Sequence, residues 1–174
     1  STSSAMRHKY DTRGIVLGRS PAGEANAHVL LLTSDLGLVR ARAQGVRHPG
    51  AKLAAALQTF AESEVVLIRG KEGWRLSGAV LTVNWFTRLP RAEVRERAAR
   101  TVRLLLRLVA GEAPEAELYP LLRSYLNALY ALPSETHDAA EIRAALALLG
   151  ALGFDAGERT TLDALFTSEE LARV

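Results

Sequence analysis

Between Leu38 and Gln44 apolar and polar positions alternate without a break, with Val39, Ala41 and Ala43 on one side of an extended chain and Arg40, Arg42 and Gln44 on the other. Such a strand buries one face and offers cations on the other. The turn Asp35-Leu36-Gly37 joins it to the aliphatic run ending at Thr33, so the two predict a hairpin. Residues 13–19, 27–33, 62–69 and 74–83 also have strand character, and Lys71-Glu72-Gly73 closes the last two as a second hairpin. Five strands in this space predict a small closed barrel. The Ala/Leu-rich residues 51–60 predict a short helix between the third and fourth strands, where an OB-fold barrel carries its helix; pattern alone leaves other five-stranded barrels open.

Around Pro90 the hydrophobic period changes from two to between three and four. Val94, Ala98, Val102, Leu105 and Val109 form one helical stripe, with Glu96, Arg100, Arg103 and Arg107 opposite and Gly111 as a stop. A second helix is predicted over residues 115–131, with Leu118, Leu122, Tyr125, Leu126 and Leu129 apolar and Leu132-Pro133 ending it. A third, over 138–152, carries Ile142, Ala145, Leu146, Leu149 and Leu152, and Ser168 is placed to cap a last short helix. The expected class is α+β: an N-terminal five-stranded OB-fold barrel over residues 6–88, followed by a C-terminal all-α helical bundle over 89–174.

A chain of 174 residues, 48% of them hydrophobic, has enough apolar material for packed cores in one ordinary domain or two small ones. No apolar run approaches the roughly 20 residues that cross a bilayer, so no membrane span is expected. Cysteine is absent, which removes disulfides, thiolate zinc sites and iron–sulfur clusters. With no secretory leader evident, a reducing cytoplasm is the expected location. Ser-Thr-Ser-Ser-Ala ahead of Met6 has the character of a remnant before the natural start and is left out of the fold argument.

The formal net charge of +3 conceals an uneven distribution. Residues 1–90 hold 12 Lys/Arg against 6 Asp/Glu, whereas residues 91–174 hold 10 against 13. A basic strand continued by the basic loop Gln44–Lys52 makes the N-terminal half a candidate surface for polyanions, above all nucleic acid. Arg40, Arg42, Arg47 and Lys52 are the foremost candidates for phosphate contacts, and Arg13, Arg69, Lys71 and Arg75 follow on neighbouring strands and turns. Trp74, beside a hairpin turn and Arg75, is the candidate stacking platform; Tyr10, Phe60, Trp85 and Phe86 are expected mainly as core.

Catalytic and metal chemistry find no footing in the sequence. His8, His28, His48 and His137 lack the pairing of a metal site, and Gly45–Gly50 lacks the Lys-Ser/Thr of a phosphate-binding P-loop. Ser20-Pro21-Ala22-Gly23-Glu24 is not a nucleophile elbow, and Glu62 and Glu64 are expected to make surface ion pairs. No catalytic residues, metal or cofactor are expected. A solvated basic face is the plain alternative to a binding surface, and an RNA-binding OB module or a protein-interaction scaffold using the basic strand are the rival functions.

Several short motifs occur together in order: Gly14-Ile15-Val16-Leu17, Gly23-Glu24-Ala25, Gly37-Leu38, Ala43-Gln44-Gly45-Val46-Arg47, Lys52-Leu53 leading to Leu57-Gln58-Thr59-Phe60, and Leu148-Leu149-Gly150-Ala151-Leu152-Gly153-Phe154. In this spacing the chain resembles the RecO recombination mediators of bacteria. Two features depart from that family: there is no four-cysteine zinc module after the Leu-Gly-aromatic segment, and Thr59 stands where Pro is usual. The expectation is a short form, naturally brief or trimmed, to which the zinc module does not transfer. The resemblance implies non-catalytic binding of single- and double-stranded DNA, annealing of complementary strands, and recombinase loading with RecR and single-stranded-DNA-binding protein. It also implies that the acidic tail of the latter docks on the helical half. Arg100, Arg103 and Arg107 are the candidates for that contact; their plain alternative is the wet face of a core helix.

Overall fold

The computed structural model describes residues 8–44 and 52–154, with Lys52 described by its backbone alone. The expected loop cation Arg47 and the expected helix at Ser168 lie outside the described residues. Five strands, β1 (His8–Pro21), β2 (Ala27–Thr33), β3 (Gly37–Ala43), β4 (Ala61–Gly70) and β5 (Gly73–Asn84), form one sheet that closes on itself in the order β1-β2-β3-β5-β4. Every pairing is antiparallel except β3 with β5, the parallel contact that completes the ring. This is the OB-fold arrangement, with helix α1 (Lys52–Ala56) between β3 and β4, and the short helix α2 (Trp85–Arg88) follows β5. Val16, Val29, Leu31, Val39, Ala41, Leu57, Val65, Leu67 and Leu76 fill the interior.

The first strand is longer than its apolar run of residues 13–19 predicts because it serves two neighbours. Residues 8–15 pair with β4 and residues 14–21 with β2. Its leading half, His8-Lys9-Tyr10-Asp11, is largely solvated and therefore shows no apolar alternation. A register shift between Val16 and Gly18 lets Ile15, Val16 and Leu17 all be buried in succession.

A second irregularity corrects the expectation that Glu62 lies on the surface. The register shifts between Glu62 and Ser63, so residues 61–63 are all buried rather than alternating. Glu62 is fully buried, and the indole Nε1 of Trp85 donates a hydrogen bond to its Oε1 at 3.2 Å. Glu64, two residues on, is exposed and pairs with Arg13 as expected of a surface carboxylate.

The β2–β3 turn is held by Thr33, which is buried; its hydroxyl donates to the Gly37 carbonyl at 2.8 Å and accepts from the Leu36 amide at 2.9 Å. Gly37 adopts φ 69°, and a Cβ there would stand 2.1 Å from the Ala113 carbonyl oxygen. That close approach exists because Leu38 and Ala113 exchange two backbone hydrogen bonds of 2.7 and 3.0 Å. Residues 111–119 consequently belong to the same compact unit as the closed sheet.

The other compact unit contains helix α3 (Ala92–Leu108), most of α4 (Leu118–Ala131), and α5 (His137–Ala151). Val94, Ala98, Val102 and Leu105 of α3 are buried, as their spacing predicts, as are Leu122, Tyr125, Leu126 and Leu129 of α4. In α5 the buried face differs from the predicted stripe: His137, Glu141, Ala144, Leu148 and Leu149 are buried, while Ile142 is 53% exposed. Alanine and leucine occur all round this helix, so apolar periodicity does not select a side, and a charge match does.

That match also removes Arg100 from the wet face of α3. Arg100 grips Glu141 with two hydrogen bonds, Nη2 to Oε1 at 2.8 Å and Nε to Oε2 at 3.0 Å. Arg97 donates to Glu141 Oε1 at 3.0 Å and pairs with Asp138 at 2.7 Å. For Arg100 the hydrogen bond to Glu141 outweighs burial and raises the pKa further; for Arg97 burial opposes the rise, and the bonds to Asp138 and Glu141 overcome it. Two partly buried guanidiniums thus share the buried carboxylate of Glu141, and Arg97 also holds the exposed Asp138.

Two stability measurements follow from these contacts. Gly37→Ala must both accept a left-handed conformation and displace Ala113, and should cost about 3 kcal/mol or more; Gly23→Ala, at φ 89° with open space around it, should cost about 1 kcal/mol. Equal losses in urea denaturation would dismiss the clip at Ala113. Glu141→Gln leaves the partly buried Arg100 without a carboxylate and Arg97 with Asp138 alone, and should cost about 3 kcal/mol, against less than about 1 kcal/mol for Arg103→Ala, whose partner Glu96 is exposed. Similar thermal stabilities for the two variants would show that the α3–α5 cluster does not hold the bundle.

Candidate nucleic-acid interface

Because Val39, Ala41 and Ala43 face inward, Arg40 and Arg42 stand exposed on the outer face of β3. On β5, Leu76 is buried and Arg75 is exposed, so the same alternation turns Arg75 outward. The parallel register sets Arg42 directly beside Arg75. Following the pairing in both directions, His28 lies beside Arg42, Ile68 beside Arg75, and Lys9 beside Ile68. Residues opposite one another share a face, so His28, Arg42, Arg75, Ile68 and Lys9 form one row across all five strands. With strands about 4.8 Å apart, Arg42 and Arg75 are near neighbours and Lys9 stands about 10 Å further on.

The β4–β5 hairpin places Lys71 in the same neighbourhood. Ala41 is registered with Trp74, so the preceding Arg40 comes alongside Gly73 and the tip that carries Lys71. The loop between β1 and β2 flanks the row on its other side, since Ala27 pairs with Ala43 one position beyond the His28–Arg42 pair. In an OB-fold these two loops border the face that takes oligonucleotides and oligosaccharides. Asp11 and Glu72 are the exposed acids nearest in sequence to Lys9 and Lys71. Against them stand Lys9, Arg40, Arg42, Arg69, Lys71 and Arg75, all exposed.

Trp74 is half-buried and packs on the apolar interior, with two neighbours at its ring. The Arg69 guanidinium carbon lies over the indole at 5.2 Å, and Tyr10 meets it edge-on with ring centroids 5.3 Å apart. Arg69 and Trp74 are cross-strand partners, one position from the Arg75–Ile68 pair of the cation row. Because successive residues of a strand turn to opposite faces, the aromatic group lies on the inner side at the end of the sheet and the cation row on the outer side. Tyr10 is 37% exposed and Phe86 54% exposed, contrary to a mainly core role, whereas Trp85 is buried.

Not all the sequence-predicted residues come together. Arg13 sits four residues along β1 from Lys9 and is bound to Glu64 at 3.3 Å; that hydrogen bond raises its pKa. Its charge is largely spent within the sheet. Arg100 is held by Glu141 and Arg103 by Glu96, leaving Arg107 as the exposed member of the helical trio with no ion-pair partner among the described residues. Lys9 was missed because the strand read from sequence began at Arg13; the signal that finds it is its register with Ile68. Among the described residues no group of three His, Cys, Asp or Glu side chains is placed to hold a metal ion, and no helix is long and apolar enough to cross a membrane.

Comparison with known proteins adds an independent line. Residues 6–83, nearly the whole closed sheet, match the family described as Recombination protein O N terminal. A protein named DNA repair protein RecO from Dehalococcoides mccartyi is 30% identical over 122 residues, 70% of this chain and 48% of that protein. The namesakes from Gloeothece citriformis and a Cyanothece species are 31% and 30% identical, covering 70% and 83% of this chain and 43% and 49% of their own lengths. The chain thus spans about half the length of these curated relatives.

Proposed function

We propose that this chain, which belongs to the RecO family of DNA repair proteins, binds DNA through the outer face of its closed sheet and acts as a non-catalytic recombination mediator. The observation that carries the reading is the state of its arginines. Where charge serves the fold, as at Arg13, Arg97, Arg100 and Arg103, each guanidinium holds a carboxylate. Along the row and its hairpin, Lys9, Arg40, Arg42, Lys71 and Arg75 are exposed and hold none among the described residues. Charges brought together and left unneutralised suit a polyanion whose condensed counterions are released on contact.

In this reading residues 6–88 are the nucleic-acid-binding domain and 89–174 the partner domain. Arg40, Arg42, Lys71 and Arg75 contact phosphates directly, and Arg47 and Lys52, which follow β3 in sequence, are further candidates for phosphate contact. Neutralising the backbones of two strands on one surface lets complementary sequences meet, which is the physical basis of annealing. RecR, and an acidic tail on single-stranded-DNA-binding protein docking near Arg107 and Arg103, are the partners proposed for loading recombinase. The site of action is the cytoplasm.

Anisotropy titrations of single-stranded DNA, duplex DNA and RNA over a salt series test this. Wild type should bind DNA with steep salt dependence, and Arg40→Ala with Arg42→Ala should weaken binding to every sequence alike. The loss of two phosphate contacts should flatten the single-strand slope by up to about 1.4. An unchanged slope and affinity in the folded double variant would place the binding face elsewhere. A strong preference for RNA at every salt concentration would instead favour the RNA-binding module.

A further inference from the structure

The outer face of the sheet carries an apolar patch that begins inside the cation row. Ile68 is itself a member of that row, registered with Arg75 on one side and Lys9 on the other. Val65 and Leu67 belong to the interior, so Val66 and Ile68, both half-buried, turn outward. Ser77 is the extra residue of a register shift in β5, after which Gly78 is the partner of Val66 and Val80 the partner of Glu64. A Cβ at Gly78 would meet nothing within 4 Å, and Val80 is 67% exposed. Ile68, Val66, Gly78 and Val80 therefore make a low, uncharged floor on the same face as the row. Arg75 and Lys9 border it on one side; Asp11, the other partner of Val66, and the Glu64–Arg13 ion pair border it on the other.

We propose that this floor seats one unpaired base of a strand whose phosphates lie on Arg42 and Arg75, and that it adds a preference for single strands to a surface that otherwise reads only charge. The inference rests on the reading of the cation row as a phosphate track. Phosphate and base sites share one face: Ile68 is one strand, about 4.8 Å, from Arg75, and Val66 lies about 7 Å further along β4. The order of charges decides which group goes where. Arg42 and Arg75 draw phosphates, whereas Asp11 beside Val66 repels them and leaves the floor to an uncharged group. The flat face of a base gains from covering aliphatic surface, and Gly78 raises no side chain against it. In a single strand that face is free to turn down. In a duplex it is covered by stacked neighbours and must first be pulled from its pair.

The test compares three ligands of equal phosphate count: an oligothymidylate, a strand of abasic tetrahydrofuran residues, and a duplex. Wild type should bind the oligothymidylate about fivefold more tightly than the abasic strand. Val66→Thr with Ile68→Thr keeps the charge and the β-branched shape but makes the floor polar. It should bring that ratio under about twofold and lower the oligothymidylate-to-duplex ratio by the same factor, while abasic affinity and the salt slope stay in place. In methyl spectra of wild type, the Ile68 and Val66 signals should take ring-current shifts from the oligothymidylate that the abasic strand does not produce. Equal binding of intact and abasic strands by wild type, with steep salt dependence, would overturn the base seat and leave the phosphate track standing. A full preference surviving in the folded double variant would equally overturn it, and failure to bind any of the three would remove both readings.

Discussion

The parallel pairing of β3 with β5 is the contact on which the rest of the sheet depends. It is short, joining Ala41 to Trp74, Arg42 to Arg75 and Ala43 to Leu76, yet it converts two antiparallel meanders into a ring with no open edge at this point. On the inner side it brings Ala41, Ala43 and Leu76 into one apolar cluster. On the outer side it sets two arginines directly opposite each other. Like charges at opposed positions destabilise a sheet, so this pairing runs against stability on one face while serving it on the other. A local conflict of that kind marks positions retained for binding rather than folding. Next along the same edge of β3, the Leu38–Ala113 bridge closes what β5 does not reach, with Gly37 in the only kind of residue that tolerates both the φ and the approach.

The two compact units use arginine in opposite ways. In the helical unit Arg97 and Arg100 surround Glu141, and an acidic side chain at a core position decides which side of α5 faces inward. Replacing the carboxylate alone leaves the partly buried Arg100 charge without its partner, which is far costlier than losing an exposed pair. On the closed sheet the cations of the row face solvent and hold no carboxylate among the described residues. The first arrangement fixes structure; the second leaves electrostatic potential available to a ligand.

Much of this was legible in sequence where the signal is local. The alternation through Arg40 and Arg42 gives the strand and its exposed face, Gly37 and Gly73 give the hairpins, and the change of period at Pro90 gives the helical unit. What stayed hidden depends on pairing between distant segments. Lys9 joins the row through a register with β4 some 60 residues away, and the polar start of β1 has no apolar pattern to announce it. Glu62 is buried through a shift in the β4–β5 register that no alternation rule anticipates. Arg100 follows the helical period to the wet side of α3, yet Glu141 draws it in, because an ion pair between two helices is invisible to either helix alone. Arg47 belongs to the sequence reading alone, outside the described residues.

The central claim, that sheet closure assembles unneutralised arginines into one polyanion-binding row, is tested most directly by following arginine side chains in solution. In nitrogen-15 spectra of the full chain titrated with an oligothymidylate, the Nε–H signals of Arg40, Arg42 and Arg75 should shift together, with one common affinity. Those of Arg97 and Arg100, already committed to Glu141, should stay in place. Shifts confined to the helical unit, or spread evenly over paired and unpaired arginines, would contradict the account.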